Sequence, residues 1–223
     1  MSPRPRTVDD PTILEAAVRV LGRIGPEKLT LAHVGEEAGL SAATLVQRFG
    51  SKRALLLAAL KHTVIGMNQR SDAAYDSHES ALEALFASAM DRSTVLGGPE
   101  VIGNLLAFYL SDLADPEFRS IAIENSRQAI DGFKKLLDRA VADGEIAAGY
   151  IDTQQLAETI YSLTMGTLFT WTVSGDGNYR TRIRRELDVL LRPFRRGPRK
   201  AAGLNHLDIE RPAKFVASSS FGG

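Results

Sequence analysis

Between residues 30 and 52 the chain gathers side chains suited to holding rather than to reacting. Gln47 offers a carboxamide that can hydrogen-bond base edges, and Arg48 a guanidinium that can grip guanine or a phosphate. Lys52 adds an ammonium suited to a phosphate. Ala42, Ala43 and Val46 stand among them and can make only apolar contacts, for example with thymine methyls. Thr30, Ser41 and Thr44 supply hydroxyls at the edges of the same stretch. This is the chemistry of binding a nucleic-acid duplex. Bond-making chemistry has no comparable signature, for there is no glycine-rich phosphate loop, no G-x-S-x-G and no H-E-x-x-H. His33, His62, His78 and His206 are too scattered for a metal site, and Glu36 and Glu37, adjacent on a helix, point apart. No enzyme activity and no cofactor is expected.

Those side chains need two short helices joined by a tight turn. Leu31, Val34 and Ala38 share one face of the first helix, and Leu45 and Phe49 share one face of the second. Gly39 falls where the chain needs a positive φ, and Ser41 falls at the N-cap of the second helix. Gly35, four residues before the turn glycine, lets the two helices cross closely. The product is a helix-turn-helix, whose second helix, about Ala42–Phe49, lies in a major groove. A preceding amphipathic helix carries Ile13, Leu14, Ala17, Val20, Leu21 and Ile24 and ends at Gly25, and a further helix follows Phe49-Gly50-Ser51-Lys52.

This order resembles the TetR family of one-component transcription regulators. The resemblance rests on Ile13-Leu14-Glu15-Ala16-Ala17, Gly25, Leu29-Thr30-Leu31, Ala38-Gly39-Leu40-Ser41, Thr44-Leu45, Phe49 and Ser51-Lys52, and covers residues 12–60. It implies that Ala42, Ala43, Thr44, Val46, Arg48 and Lys52 occupy positions used on double-stranded DNA. The chain departs from the family at Val46, where a phosphate-binding tyrosine is usual, and at Arg48, where histidine is frequent. Thr30, as cap of the first motif helix, is expected to meet the other phosphate edge, and Arg4 and Arg6 are candidates for an adjacent minor groove.

The rest of the chain reads as helix throughout. The expected architecture is all-α, with about nine helices. Residues 1–52 hold an N-terminal arm and a three-helix DNA-binding head. A linking helix over 53–72 opens a helical ligand-binding and dimerisation domain over 53–195, and 196–223 is a flexible tail. The resemblance implies a homodimer formed by the last two helices, where Gly166 permits close approach and Leu187, Leu190 and Leu191 supply an apolar stripe; the same stripe would equally suit packing inside one subunit. It also implies a pocket for a small apolar ligand. The candidate lining is Phe86, Met90, Asn104, Phe108, Tyr109, Tyr161, Met165 and Phe169, with Asn104 as a polar handle. Stripes at this spacing suit an ordinary core as well. The implied function is a repressor released from a palindromic operator by that ligand; a constitutive or protein-regulated DNA binder is the alternative.

Composition bounds these readings. The 223 residues are 44% hydrophobic, contain no cysteine and carry zero formal net charge. The charge divides unevenly: nine Lys/Arg against six Asp/Glu in residues 1–63, thirteen against nineteen in 64–195, and five against two in 196–223. A basic head on an acidic body is the asymmetry expected when one end faces phosphates. No apolar run approaches the roughly 20 residues that span a bilayer, and no apolar segment follows the N-terminal arginines, so a cytoplasmic protein without membrane contact is expected.

Overall fold

The structure, a computed structural model, describes residues 8–94, 97–147 and 152–195. Arg4, Arg6, Ile151 and the segment after 195 lie outside the described residues. Nine α-helices account for nearly all of the rest: α1 (Asp10–Lys28), α2 (Leu31–Ala38), α3 (Ala42–Phe49), α4 (Lys52–Ser77), α5 (Ala81–Thr94), α6 (Pro99–Ser111), α7 (Pro116–Ala142), α8 (Thr153–Ser174) and α9 (Tyr179–Leu191). Among the described residues there is no strand.

Side-chain caps fix where the helices start. Asp9, Thr30, Ser41 and Ser51 each accept a backbone N–H three residues on, and Asp115, Asp152 and Asn178 do the same for α7, α8 and α9. Each such cap is worth about 1 kcal/mol. Within α1, Gly25 breaks the helical path at φ 79°, and Pro26 starts the short last turn. The expected linking helix over 53–72 is longer: α4 runs on to Ser77, because Ser71–Asp76 holds no proline or glycine to stop it.

Two cores form. In the head, Ile13, Ala17, Val20, Leu29, Val34 and Leu45 pack with Leu55, Leu56 and Ala59 of α4. Phe108 of α6 and Phe118 of α7 enter the same cluster, edge to face with ring centroids 5.5 Å apart. The second core joins α5, α7, α8 and α9 around Phe86, Phe133, Leu137, Ile160, Ile183 and Leu187. Each large side chain so buried contributes roughly 1.5–3 kcal/mol.

Head and body are fastened along α1 and α6. Gly22 brings α6 so near that a Cβ there would stand 2.6 Å from Val101 Cγ1. Asn104 Nδ2 donates to the Gly22 carbonyl at 2.7 Å across the joint. A polar fastening lies at the other end of α6: Arg53, in the first turn of α4, binds Asp115 Oδ2 at 2.6 and 2.9 Å and Glu117 at 3.3 Å. Its guanidinium also sits 5.8 Å from the Phe118 ring centroid.

Candidate functional site

The turn between α2 and α3 is built from local rules. Gly39 takes the left-handed conformation at φ 69° and ψ 31°. Leu40 N then donates to Gly35 O at 2.7 Å, closing the helix end. Ser41 Oγ accepts from Thr44 N at 3.1 Å and lies 2.8 Å from Thr44 Oγ1. Leu45 is fully buried beneath α3, so the opposite face is fixed outward. Ala43, Val46 and Gln47 are exposed there, Val46 to 48%, with Ala42 and Thr44 half-buried at the flanks. The result is an eight-residue helix held by its inward face, with a small-residue and carboxamide surface outward.

The cations around α3 are held inside the head. Arg48 Nη1 donates to Val8 O at 2.5 Å, and Nη2 stands 2.5 Å from Asp10 Oδ1. Lys52 Nζ donates to the Pro26 carbonyl at 2.8 Å, where α1 ends. Thr30 Oγ1 accepts from His33 N at 3.3 Å. Thr30, Ser41, Arg48 and Lys52 thus each make an internal contact in this arrangement. Arg19 and Arg23 of α1 both bind Glu37 of α2, at 3.0 and 2.9 Å. Their hydrogen bonds hold the Glu37 carboxyl below its usual range, Arg19 having the larger effect. In the same way Arg53, through its hydrogen bond, lowers the Asp115 carboxyl.

A cavity of about 150 Å³ opens between head and body. Its wall takes Val18 and Leu21 from α1, Leu56, Leu60 and Thr63 from α4, and Leu105, Phe108 and Tyr109 from α6. Asn125 of α7 and Tyr161, Met165 and Leu168 of α8 line it as well. Four of the eight residues expected from the sequence therefore line it: Phe108, Tyr109, Tyr161 and Met165.

The other four stand elsewhere. Phe86 is buried in the body core under the guanidiniums of Arg184 and Arg195. Met90 packs against that same core. Phe169 is 56% exposed on the outer face of α8. Asn104, expected as the polar handle of the pocket, instead fastens α6 to α1 through Gly22. Its place is taken by Asn125, which sequence reasoning passed over. The signal was present: Asn125 interrupts the apolar stripe Phe118, Ala122, Ala129, Phe133 of α7, and a polar residue on such a stripe faces the interior.

The apolar stripe expected at the dimer interface also needs correction. Leu187 and Leu191 are fully buried in their own subunit and Leu190 packs against the same core. The outward apolar residues of these helices are Phe169 and Val173 on α8 and Val189 on α9, the last two 71% and 58% exposed. Gly166, on the same outer side of α8, has open space where a Cβ would stand.

The sequence pattern of bacterial regulatory proteins of the tetR family matches residues 13–59, which span α1, α2, α3 and the start of α4. The chain belongs to the TetR family. The regulator BetI of Agrobacterium fabrum is 28% identical over 165 residues, covering 69% of this chain and 78% of BetI. A Rhodococcus sp. protein assigned to the TetR family superposes with a TM-score of 0.62 at 25% identity, over 81% of this chain and 96% of that one. A Saccharomonospora viridis protein, crystallised with choline, shares the fold at a TM-score of 0.68 and 20% identity, over 82% of this chain and 95% of that one. This TetR-family transcriptional regulator is all-α, as the family is, and among its described residues no helix is long and apolar enough to cross a membrane.

Proposed function

We propose that the protein is a repressor that binds a palindromic operator as a homodimer and is released by a small apolar ligand. The observation that carries the ligand half of this reading is the composition of the cavity wall. Val18 and Leu21 belong to α1 of the head and Leu56 and Leu60 to the linking helix α4, whereas Tyr161, Met165 and Leu168 belong to the body. A molecule seated there touches both, so it has different contacts in any two arrangements of head against body. Differential contact is what a ligand needs to shift a conformational equilibrium. DNA demands one separation of the two α3 helices, and any other arrangement binds it less well.

For the DNA half, α3 supplies the reading surface, with Gln47 on base edges and Ala43 and Val46 against thymine methyls. Arg48 and Lys52 serve phosphates after exchanging their present contacts with Val8, Asp10 and Pro26. Thr30, Ser41, Ala42 and Thr44 border the surface. For the dimer, the outer apolar face of Phe169, Val173 and Val189 beside Gly166 is the surface offered to a second copy. Two heads bound together read two half-sites and gain affinity jointly.

The test is fluorescence anisotropy on a labelled operator, selected from random duplexes, while small apolar compounds are titrated in. Ligand coupling of about 1–3 kcal/mol weakens binding about 5- to 150-fold. If no compound that binds the protein moves its operator affinity, the ligand-released reading fails, and the protein is a constitutive or protein-regulated DNA binder.

A further inference from the structure

The cavity has one polar feature that its apolar wall leaves unsatisfied. Asn125 Oδ1 is buried and has no hydrogen-bond partner. The hydroxyls of Thr63, Ser126 and Tyr161 are already committed. Thr63 Oγ1 donates to Ala59 O at 2.9 Å, within its own helix. Ser126 Oγ donates its only proton to Ala122 O at 2.9 Å. The 2.7 Å contact between Ser126 Oγ and the Tyr161 hydroxyl therefore uses the tyrosine's proton. A buried acceptor left without a donor is costly, and native proteins leave few of them. Solitary water is a poor remedy, since a buried water ordinarily makes about three hydrogen bonds and the wall around Asn125 is mostly hydrocarbon.

Size and charge narrow the occupant. An apolar cavity of about 150 Å³ accepts a molecule as large as benzene. No Asp, Glu, Lys or Arg lines it, so neither a cation nor an anion finds a counter-charge.

We infer that the cavity selects a small neutral ring compound with one hydrogen-bond donor, a molecule of phenol's size and chemistry, whose hydroxyl donates to Asn125 Oδ1. The inference rests on reading the cavity as the ligand site and adds the ligand's chemistry. The ring packs against Leu21, Leu56, Leu105 and Met165, and the donor alone sets its orientation. Asn125 is then the specificity-determining residue. A site that holds an unpaired acceptor discriminates against molecules of the same shape that bring no donor.

Calorimetric titration of the full-length protein with phenol, benzene and benzaldehyde tests this. Phenol should bind about tenfold or more tighter than benzene, the factor that one recovered hydrogen bond supplies. Benzaldehyde, which accepts but does not donate, should gain nothing over benzene. Asn125→Leu, close in size and without the stranded acceptor, should bring phenol down to or below benzene while benzene still binds; circular dichroism confirms its helix content. Equal binding of phenol and benzene, a preference for benzaldehyde, or an unchanged ratio in Asn125→Leu overturns the inference and leaves the cavity standing as a ligand site. Failure of all three compounds to bind at millimolar concentration overturns the cavity reading as well.

Discussion

Replacing Gly35 by alanine tests whether the helix-turn-helix geometry governs both stability and DNA binding. A Cβ at Gly35 would stand 2.6 Å from the carbonyl oxygen of Leu40 and 3.3 Å from Ala42 N. Ordinary contact begins near 3.4 Å, so the turn must retreat by about 0.8 Å, and the obstructing atom is backbone that cannot swing aside. The retreat strains the 2.7 Å hydrogen bond from Leu40 N to Gly35 O and shifts the start of α3. Overpacking of this kind costs about 1–3 kcal/mol, and the better helix propensity of alanine returns up to about 1 kcal/mol. The net loss is about 1–2 kcal/mol, which lowers Tm by roughly 2–8 °C in a chain of this size. Because α3 moves, operator affinity should fall by more than the stability loss alone explains. Gly132→Ala is the matched control. Gly132 lies within α7 with nothing within 4 Å of a built Cβ, so the same change there should raise Tm slightly. Thermal unfolding by circular dichroism and anisotropy on a fixed operator read both effects. A Gly35→Ala protein as stable as the parent, with unchanged operator affinity, would refute the close-approach argument.

Three further outcomes follow from the same geometry. Glu37 has its carboxyl lowered below 4.5 by Arg19 and Arg23, so its contribution is full above pH 4.5 and is lost as pH falls through the depressed folded value; acid unfolding of Glu37→Gln should therefore show a shallower loss of stability below pH 4.5, and an identical acid limb would remove this linkage. Val173→Glu places a charge on the exposed face of α8 and should convert a dimer into a monomer in sedimentation velocity at micromolar protein, whereas an undisturbed dimer would move the interface elsewhere. Arg53→Ala cuts the tie from α4 to Asp115 and Glu117 beside Phe118, and should reduce the fold-change that a bound ligand imposes on operator affinity; equal fold-changes in both proteins would show that this tie carries no coupling.

Much of the architecture was legible in the residues because it depends on neighbours in sequence. Gly39 and Ser41 mark the turn, and the apolar spacings at Ile13–Ile24 and Leu187–Leu191 mark buried faces. What escaped depends on neighbours in space. The role of Asn104 requires the backbone of Gly22, 82 residues away. The present contacts of Arg48 and Lys52 require Val8, Asp10 and Pro26, which no spacing within α3 reveals. The cavity is walled by five helices, so aromatic stripes on single helices located half of the expected lining and missed Leu21, Leu56 and Asn125. On α9 the periodicity identified an apolar face correctly but not which side of the subunit it covers; only burial separates Leu187 from Val189.

In the proposed function, α3 reads DNA sequence through its outward face. Selection of bound duplexes from a random-sequence library, run in parallel on the parent protein and on Gln47→Ala, addresses it most directly. The expected result is a palindromic consensus for the parent, and for the variant a relaxed preference at one symmetry-related pair of positions with the remaining positions retained. A consensus that is identical in the two proteins, or no enrichment by the parent at all, would contradict it.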